Sequence, residues 1–131
     1  MCYNSVHKEL YFVSPYVRWN YMNGVLNLAM LKLGRFTGDG SILSFPAKNY
    51  AYFFDHVPYF REFYDANIYS PGAVLFFKME LLDHCGAMGA GLIEVYENEK
   101  REDYRDYIEK TALHLLEKEC RLEDGTLARL F

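Results

Sequence analysis

Residues 16–33 read Tyr-Val-Arg-Trp-Asn-Tyr-Met-Asn-Gly-Val-Leu-Asn-Leu-Ala-Met-Leu-Lys-Leu. Two rows of apolar side chains follow helical spacing here: Val17, Tyr21, Val25 and Leu28 in one, and Met22, Leu26, Met30 and Leu33 in the other. A surface helix of a small protein usually carries one such stripe, so two rows predict a helix with neighbours on both sides. This pattern is typical of the inner ring of a double-ringed helical barrel.

Three further main helices are predicted, at about 41–56, 73–96 and 101–120. Pro58 should interrupt the second, because proline lacks a backbone donor. A short helix at 59–66 and a loop at 67–72 follow it. The last helix has one apolar stripe and one charged face, as an outer helix would. We therefore expect one all-α domain over residues 1–131, with inner and outer helices alternating in at most two hairpins and a loop at 121–131.

Composition excludes several classes of function. The chain is 51% hydrophobic with a net charge of −4 and no basic runs, which argues against nucleic-acid binding. Cys2, Cys85 and Cys120 lack disulfide or zinc spacing and fit reduced thiols in a cytoplasmic protein. The four histidines lie far apart, so neither a metal nor a cofactor is expected. The longest uncharged run, 19–31, is too short to cross a membrane.

Aromatic side chains are concentrated between Phe45 and Tyr69. Such side chains either fill the space between helices or line a groove for a ring-shaped ligand, and for any one of them packing is the safer interpretation. Three glycines in the helix at 73–96, Gly86, Gly89 and Gly91, each cost a helix interior about 1 kcal/mol relative to alanine. Their clustering predicts the close approach of another backbone or of a ligand.

Asp83 is the first candidate for chemistry. It stands among apolar and small residues beside His84, and Gly86 and Ala87 leave space one turn along. A substrate that reached this carboxylate would desolvate it and favour its protonated, proton-donating form. The alternative is that Asp83 accepts hydrogen bonds at a helix start, while His84 faces solvent or a neighbour.

Trp19, Tyr21 and Asn23 form the second candidate group, and Gly24 opens room beside them. An aromatic face next to an amide suits a carbohydrate, since sugar ring faces stack and hydroxyls bond amides. The alternative is a tryptophan and a tyrosine buried in an inner helix.

Three stretches carry a resemblance to a known family: RWNYMNGV at 18–25, LLDHCGAMGA at 81–90 and RLEDGTLAR at 121–129. Together they resemble the unsaturated glycuronyl and rhamnogalacturonyl hydrolases of glycoside hydrolase families 88 and 105. The resemblance implies an (α/α)6 barrel of six helical hairpins, of which this chain matches the N-terminal third. A partial barrel would leave an open edge, and its exposed apolar surface would favour self-association.

The resemblance also implies a reaction. Members of these families cleave a terminal sugar that carries a C4–C5 double bond, by protonating and hydrating that bond, and they use two carboxylates. Asp83 matches the first aspartate, and Tyr21 matches a substrate-contacting tyrosine. Trp19, Asn23 and His84 would be neighbours in the substrate pocket, although many relatives carry an acid at the position of His84. The second aspartate belongs to a later Trp-x-Asp motif, so residues 1–131 are expected to be inactive alone.

Two functional hypotheses follow. The first is a glycoside hydrolase whose partner is an oligosaccharide of the unsaturated uronyl, rhamnogalacturonan type. The second is a non-catalytic helical module that binds a carbohydrate or a protein through the aromatic segment at 45–69.

Overall fold

The computed structural model describes residues 2–4, 9–11, 15–68 and 72–129. Strands β1 (Cys2–Asn4) and β2 (Glu9–Tyr11) pair antiparallel, and a 3-10 turn follows at Pro15–Val17. The helices are α1 (Tyr21–Thr37), α2 (Gly40–Asp55), α3 (Val57–Asp65), α4 (Val74–Phe77), α5 (Leu82–Tyr96) and α6 (Glu102–Glu117). The all-α prediction is confirmed, and the short β1–β2 hairpin is an addition that the sequence did not predict. His7, Tyr69 and the middle of the predicted 67–72 loop lie outside the described residues.

The main helices form two antiparallel hairpins, α1 with α2 and α5 with α6. Facing pairs are Asn27–Asn49 and Gly34–Leu43 in the first hairpin, and Leu82–Glu119 and Gly89–Thr111 in the second. The first helices of the two hairpins, α1 and α5, lie side by side and run parallel, because Gly24 faces Ala87 at one end and Arg35 pairs with Glu94 at the other. This arrangement is consistent with part of a helical toroid.

Helix α1 begins later than the sequence predicts. The Asn20 side chain accepts a hydrogen bond from the Asn23 backbone N–H at 2.9 Å, which caps the helix and satisfies one of its free amides. The Asn23 amide donates back to the Arg18 carbonyl at 2.7 Å. Residues 16–20 therefore form the 3-10 turn and the cap, where the prediction placed helix.

The face of α1 that is buried is not the one that its apolar rows indicate. Its buried positions are Asn23, Gly24, Asn27, Leu31 and Gly34. Large apolar side chains on the same helix are exposed: Tyr21, Met22, Val25, Leu33 and Phe36. The prediction of two neighbours is confirmed by α2 and α5, but the prediction that both apolar rows face them is wrong. Small residues face the neighbours because the helix backbones approach closely.

The helix predicted at 73–96 is broken into α4 and α5. Residues 78–81 separate the two, and Leu81 has an extended backbone with φ −130° and ψ 155°. Partners distant in sequence stabilise the new helix start, since the Leu82 N–H donates to Glu119 Oε1 at 3.3 Å. The predicted break at Pro58 is confirmed, because α2 ends at Asp55 and Pro58 lies in the first turn of α3.

Trp19 lies at the centre of the core with no exposed surface. Five aromatic rings lie within 4.9–6.1 Å of it, centroid to centroid, mostly edge to face: Tyr50, Phe53, Phe54, Phe76 and Tyr107. Its indole Nε1–H donates to the His84 carbonyl at 3.2 Å and to the Tyr107 hydroxyl at 3.1 Å. One side chain thus connects the start of α1 to α2, α4, α5 and α6.

Buried hydroxyl and thiol groups in this core are held in their neutral forms. Burial raises the pKa of Tyr50, whose hydroxyl donates to the Met88 carbonyl at 2.8 Å, and also that of Tyr107. Burial raises the pKa of the Cys85 thiol to about 11, so this cysteine is protonated at neutral pH. Cys85 and Cys120 are both free. None of the helices in the described part of the chain has the length and hydrophobicity needed to span a bilayer.

Glycines occupy the closest approaches between helices. A Cβ atom on Gly24 would overlap the Ala87 carbonyl carbon of α5, and one on Gly91 would overlap the Tyr50 hydroxyl. A Cβ on Gly89 would lie 3.3 Å from the Thr111 methyl of α6. The close neighbours of Gly89 and Gly91 are side chains, the Thr111 methyl and the Tyr50 hydroxyl, and not the backbone or ligand that the sequence predicted. The room predicted beside Gly24 is filled by α5.

We expect Gly24→Ala to destabilise the fold by about 2–4 kcal/mol, because the new methyl group meets backbone that cannot rotate away. Urea unfolding followed by circular dichroism would measure the change in free energy of unfolding. Gly40→Ala is the matched control, since it adds the same methyl group at the start of α2 with no atom within 4 Å. Equal effects of the two substitutions would contradict the close approach of α1 and α5.

Self-association stays a prediction, and the exposed apolar side chains of α1 are a surface through which it could occur. Sedimentation velocity at rising protein concentration would measure it. Phe36 is 90% exposed, and we expect Phe36→Ser to lower the associated fraction because it removes apolar area from this surface. Thr37→Ser on the same turn is the control. A wild-type chain that stays monomeric at high concentration would contradict the prediction.

A candidate active-site cleft at the start of helix α5

The parallel packing of α1 and α5 brings the starts of both helices to one end of the molecule. Tyr21 is the first residue of α1, and Asp83 lies in the first turn of α5. The Trp19 indole bonds the His84 carbonyl, which fixes these two helix starts relative to each other. Tyr21 and Asp83, which are far apart in sequence, therefore share one end of the helix pair.

A cleft of about 200 Å³ opens beside Asp83. It is lined by Leu81, Leu82, Asp83, Glu119, Leu127, Ala128 and Arg129. The start of α5 forms one wall, and the segment after α6 forms the other. This is the place in the described structure where the second and third family-like stretches of the sequence meet.

Asp83 is accessible to a ligand. Its side chain is 54% exposed, and its carboxylate Oδ2 lies 3.4 Å from Arg129 Nη1, whose side chain is 61% exposed. An ion pair this exposed contributes about 0–1 kcal/mol and is easily exchanged. The alternative in which Asp83 accepts hydrogen bonds at the helix start is not what the described residues show, because the partner of its carboxylate among them is Arg129.

A small turn carries Arg129 to the cleft. Arg121 and Leu127 form an antiparallel bridge, and the Ala128 N–H donates to the Cys120 carbonyl at 2.8 Å. Gly125 closes the turn with a φ of +85°, a conformation that side-chain-bearing residues rarely adopt. Residues 121–129, predicted as a loop, thus have a defined backbone that presents Arg129 beside Asp83.

Glu119 is a second carboxylate in the cleft, but its environment differs from that of Asp83. Its side chain is 9% exposed, and its Oε2 lies 3.0 Å from Nε2 of His114, which is 6% exposed. Its Oε1 accepts from the Leu82 N–H, so both oxygens have partners. Sequence reasoning missed this pair, because His114 and Glu119 lie five residues apart where the helix is ending.

His84 has a structural position. Its Nδ1 lies 2.7 Å from the Lys78 carbonyl oxygen and 3.3 Å from the Glu80 backbone nitrogen. A protonated Nδ1 donates to the Lys78 carbonyl, whereas an unprotonated Nδ1 accepts from the Glu80 N–H. These contacts hold the 78–81 segment against α5. A substrate-contacting role for His84 stays a prediction, although its ring is already engaged on one nitrogen.

The three candidate residues at the start of α1 differ in their exposure to solvent. Tyr21 is 52% exposed and available to a ligand. Trp19 is fully buried, and Asn23 is buried with its amide bonded to the Arg18 carbonyl. The alternative of a packed tryptophan is therefore the one observed, and Trp19 acts on the cleft only through the position of α5. Tyr21 is, by contrast, exposed rather than buried.

Within the described residues, no three His, Cys, Asp or Glu side chains are grouped as a metal site would require. Near the cleft, Cys85 is buried and protonated, and Glu119 is occupied by His114 and Leu82. The chemistry available at this cleft is that of an accessible carboxylate beside a guanidinium.

We expect Glu119→Ala to destabilise the chain by about 2–4 kcal/mol, because the buried His114 ring and the Leu82 N–H both lose their partner. Glu119→Gln should cost less, since its carbonyl oxygen can still accept from one of them. Chemical denaturation of each variant measures the effect. Glu117→Ala, at an exposed position of α6, is the control and should change stability by less than about 0.5 kcal/mol.

Comparison with known families bears on this cleft. The family model described as Glycosyl Hydrolase Family 88 matches residues 2–130, nearly the whole chain. Neither the curated proteins nor the solved structures contain a significant match. The match spans both hairpins and the turn that carries Arg129, and it confirms the resemblance read from the three sequence stretches. The chain therefore belongs to glycoside hydrolase family 88.

Proposed function

We propose that this chain carries part of the active site of a hydrolase for unsaturated uronyl oligosaccharides of the rhamnogalacturonan type. Asp83 supplies one of the two carboxylates that hydrate the C4–C5 double bond. The observation that carries the proposal is the position of Asp83, more than half exposed at the mouth of a cleft in a family 88 chain.

The reaction explains why carboxylates are needed. The substrate is an enol ether, so a proton adds to C4 and the oxygen of a water molecule adds to C5, while a base takes the proton that the water loses. The resulting hemiketal breaks down and releases the remaining saccharide. Asp83 can accept a hydrogen bond from this water, because its oxygens face the cleft and its ion pair with Arg129 is loose.

The proposed reaction also needs a second carboxylate. Glu119 lines the cleft, but His114 and the Leu82 N–H occupy its oxygens, so it is poorly suited to exchange protons with a substrate. The resemblance assigns the second acid to a Trp-x-Asp motif, and residues 1–131 contain one tryptophan, followed by Asn20 and Tyr21. We infer that residues 1–131 alone bind the substrate without turning it over.

The competing hypothesis, a module that binds through the aromatic segment at 45–69, has less support. Its rings at Tyr50, Phe53, Phe54 and Phe60 are buried in the core around Trp19. Because these four rings pack into the core, they present little ring face to a ligand.

Binding of an unsaturated uronyl disaccharide, followed by saturation-transfer NMR, tests the proposal. We expect Asp83→Asn to weaken binding about 10-fold or more, because the sugar hydroxyls and the bound water lose a charged acceptor, and this loss outweighs the removal of one charge that repels the uronate. Asp65→Asn, an exposed carboxylate on α3 that does not line the cleft, should leave binding unchanged. The ultraviolet absorbance of the conjugated double bond, followed in the same samples, should stay constant.

Two results would contradict the proposal. Equal binding by the wild type and Asp83→Asn would remove Asp83 from the site. Equal affinity for the saturated disaccharide would show that the double bond is not recognised.

A further inference from the structure

Arg129 is the one cation among the residues that line the cleft in the described structure. The other two charged groups there, Asp83 and Glu119, are carboxylates. A ligand with its own carboxylate would meet two like charges, and this repulsion opposes binding unless a cation compensates for it.

The guanidinium of Arg129 is available for that purpose. Its contact with Asp83 is a single one at 3.4 Å, and more than half of its side chain is exposed. The nearby Arg121 differs, because its two terminal nitrogens donate to the Gly125 and Leu115 carbonyls at 2.9 and 2.8 Å. Arg121 shapes the turn, whereas the contact with Asp83 is the one that Arg129 makes within the described part of the chain, which leaves further N–H donors for a ligand.

The chemistry of arginine matches a uronate. The planar guanidinium presents paired N–H donors whose spacing fits the two oxygens of a carboxylate. A bidentate pair of this kind is stronger than the single long contact with Asp83, so a uronate can displace Asp83 from Arg129. The exchange would at the same time free the Asp83 oxygens to face the double bond.

We propose that Arg129 recognises the carboxylate of the uronyl ring and so selects acidic over neutral sugars at the Asp83 cleft. This inference rests on the proposed function. The bridge between Arg121 and Leu127 and the bond from the Ala128 N–H to the Cys120 carbonyl fix the backbone next to Arg129, so its side chain starts from a defined position at the cleft.

The test compares an unsaturated uronyl disaccharide with its methyl ester, which keeps the double bond and loses the charge. Isothermal titration calorimetry gives the ratio of the two affinities. We expect the wild type to prefer the acid about 10-fold or more. Arg129→Gln should bind the acid no better than the ester, because Asp83 and Glu119 then repel the acid without compensation. Arg129→Lys should keep part of the preference, because a lysine provides the charge without the paired N–H donors.

Arg105→Gln is the matched control, since Arg105 is an exposed arginine on α6 whose partners are the acidic side chains around it. It should keep the full preference for the acid. Added salt should weaken binding of the acid by the wild type, because it screens the pairing with Arg129, and should not weaken binding by Arg129→Gln. Circular dichroism should be unchanged in Arg129→Gln, because an exposed ion pair contributes little to the fold.

The outcomes separate the two proposals. If the wild type prefers the acid and Arg129→Gln keeps that preference, the role of Arg129 is overturned while the proposed substrate stands. If the wild type binds neither the acid nor the ester, both the proposed function and this inference are overturned. Loss of the preference in Arg129→Gln alone, with Arg105→Gln unchanged, supports the inference.

Discussion

The buried indole ring of Trp19 links the four main helices. Trp19 lies just before α1, packs against rings from α2, α4 and α6, and donates its N–H to the first turn of α5 and to Tyr107. Its backbone N–H also donates to the Gly72 carbonyl at 2.8 Å, before α4. A large side chain with one polar atom suits this position, since the ring fills the core and its only donor is satisfied.

That central contact has a consequence for the helices beside it. With the start of α1 anchored to the start of α5, the two helices run parallel and approach closely, and Gly24 permits the contact with Ala87. Close approach leaves no room for large side chains between the backbones, so small and polar residues occupy the buried face of α1. Leu31 is buried among them, whereas Tyr21, Met22, Val25, Leu33 and Phe36 are exposed.

Sequence patterns predicted the elements whose causes are local. The break at Pro58 and the amphipathic α6 follow from one residue type or one periodicity, and both are confirmed. The start of α5 could not be predicted, because the Leu82 N–H finds its acceptor in Glu119, which is 37 residues away. The prediction of the buried face of α1 was wrong, because a periodicity argument assumes that the apolar side chains are the buried ones. The sequence singled out Asp83, which lines the cleft, and Tyr21, which lies at the same end of the helix pair but is not among the cleft-lining residues. No spacing in the sequence brings Arg129 or Glu119 to the cleft.

The two carboxylates of the cleft show how surroundings divide their roles. Both lie near the start of α5, where the exposed N–H groups and the helix dipole favour negative charge. Glu119 is buried and occupies the Leu82 N–H, with His114 on its other oxygen. Asp83 differs, because its side chain is more than half exposed and its partner among the described residues is the exchangeable guanidinium of Arg129. The oxygens of Glu119 are thus engaged in contacts that hold the fold, whereas those of Asp83 are accessible to a ligand. Asp83 is therefore the better candidate for the proposed reaction.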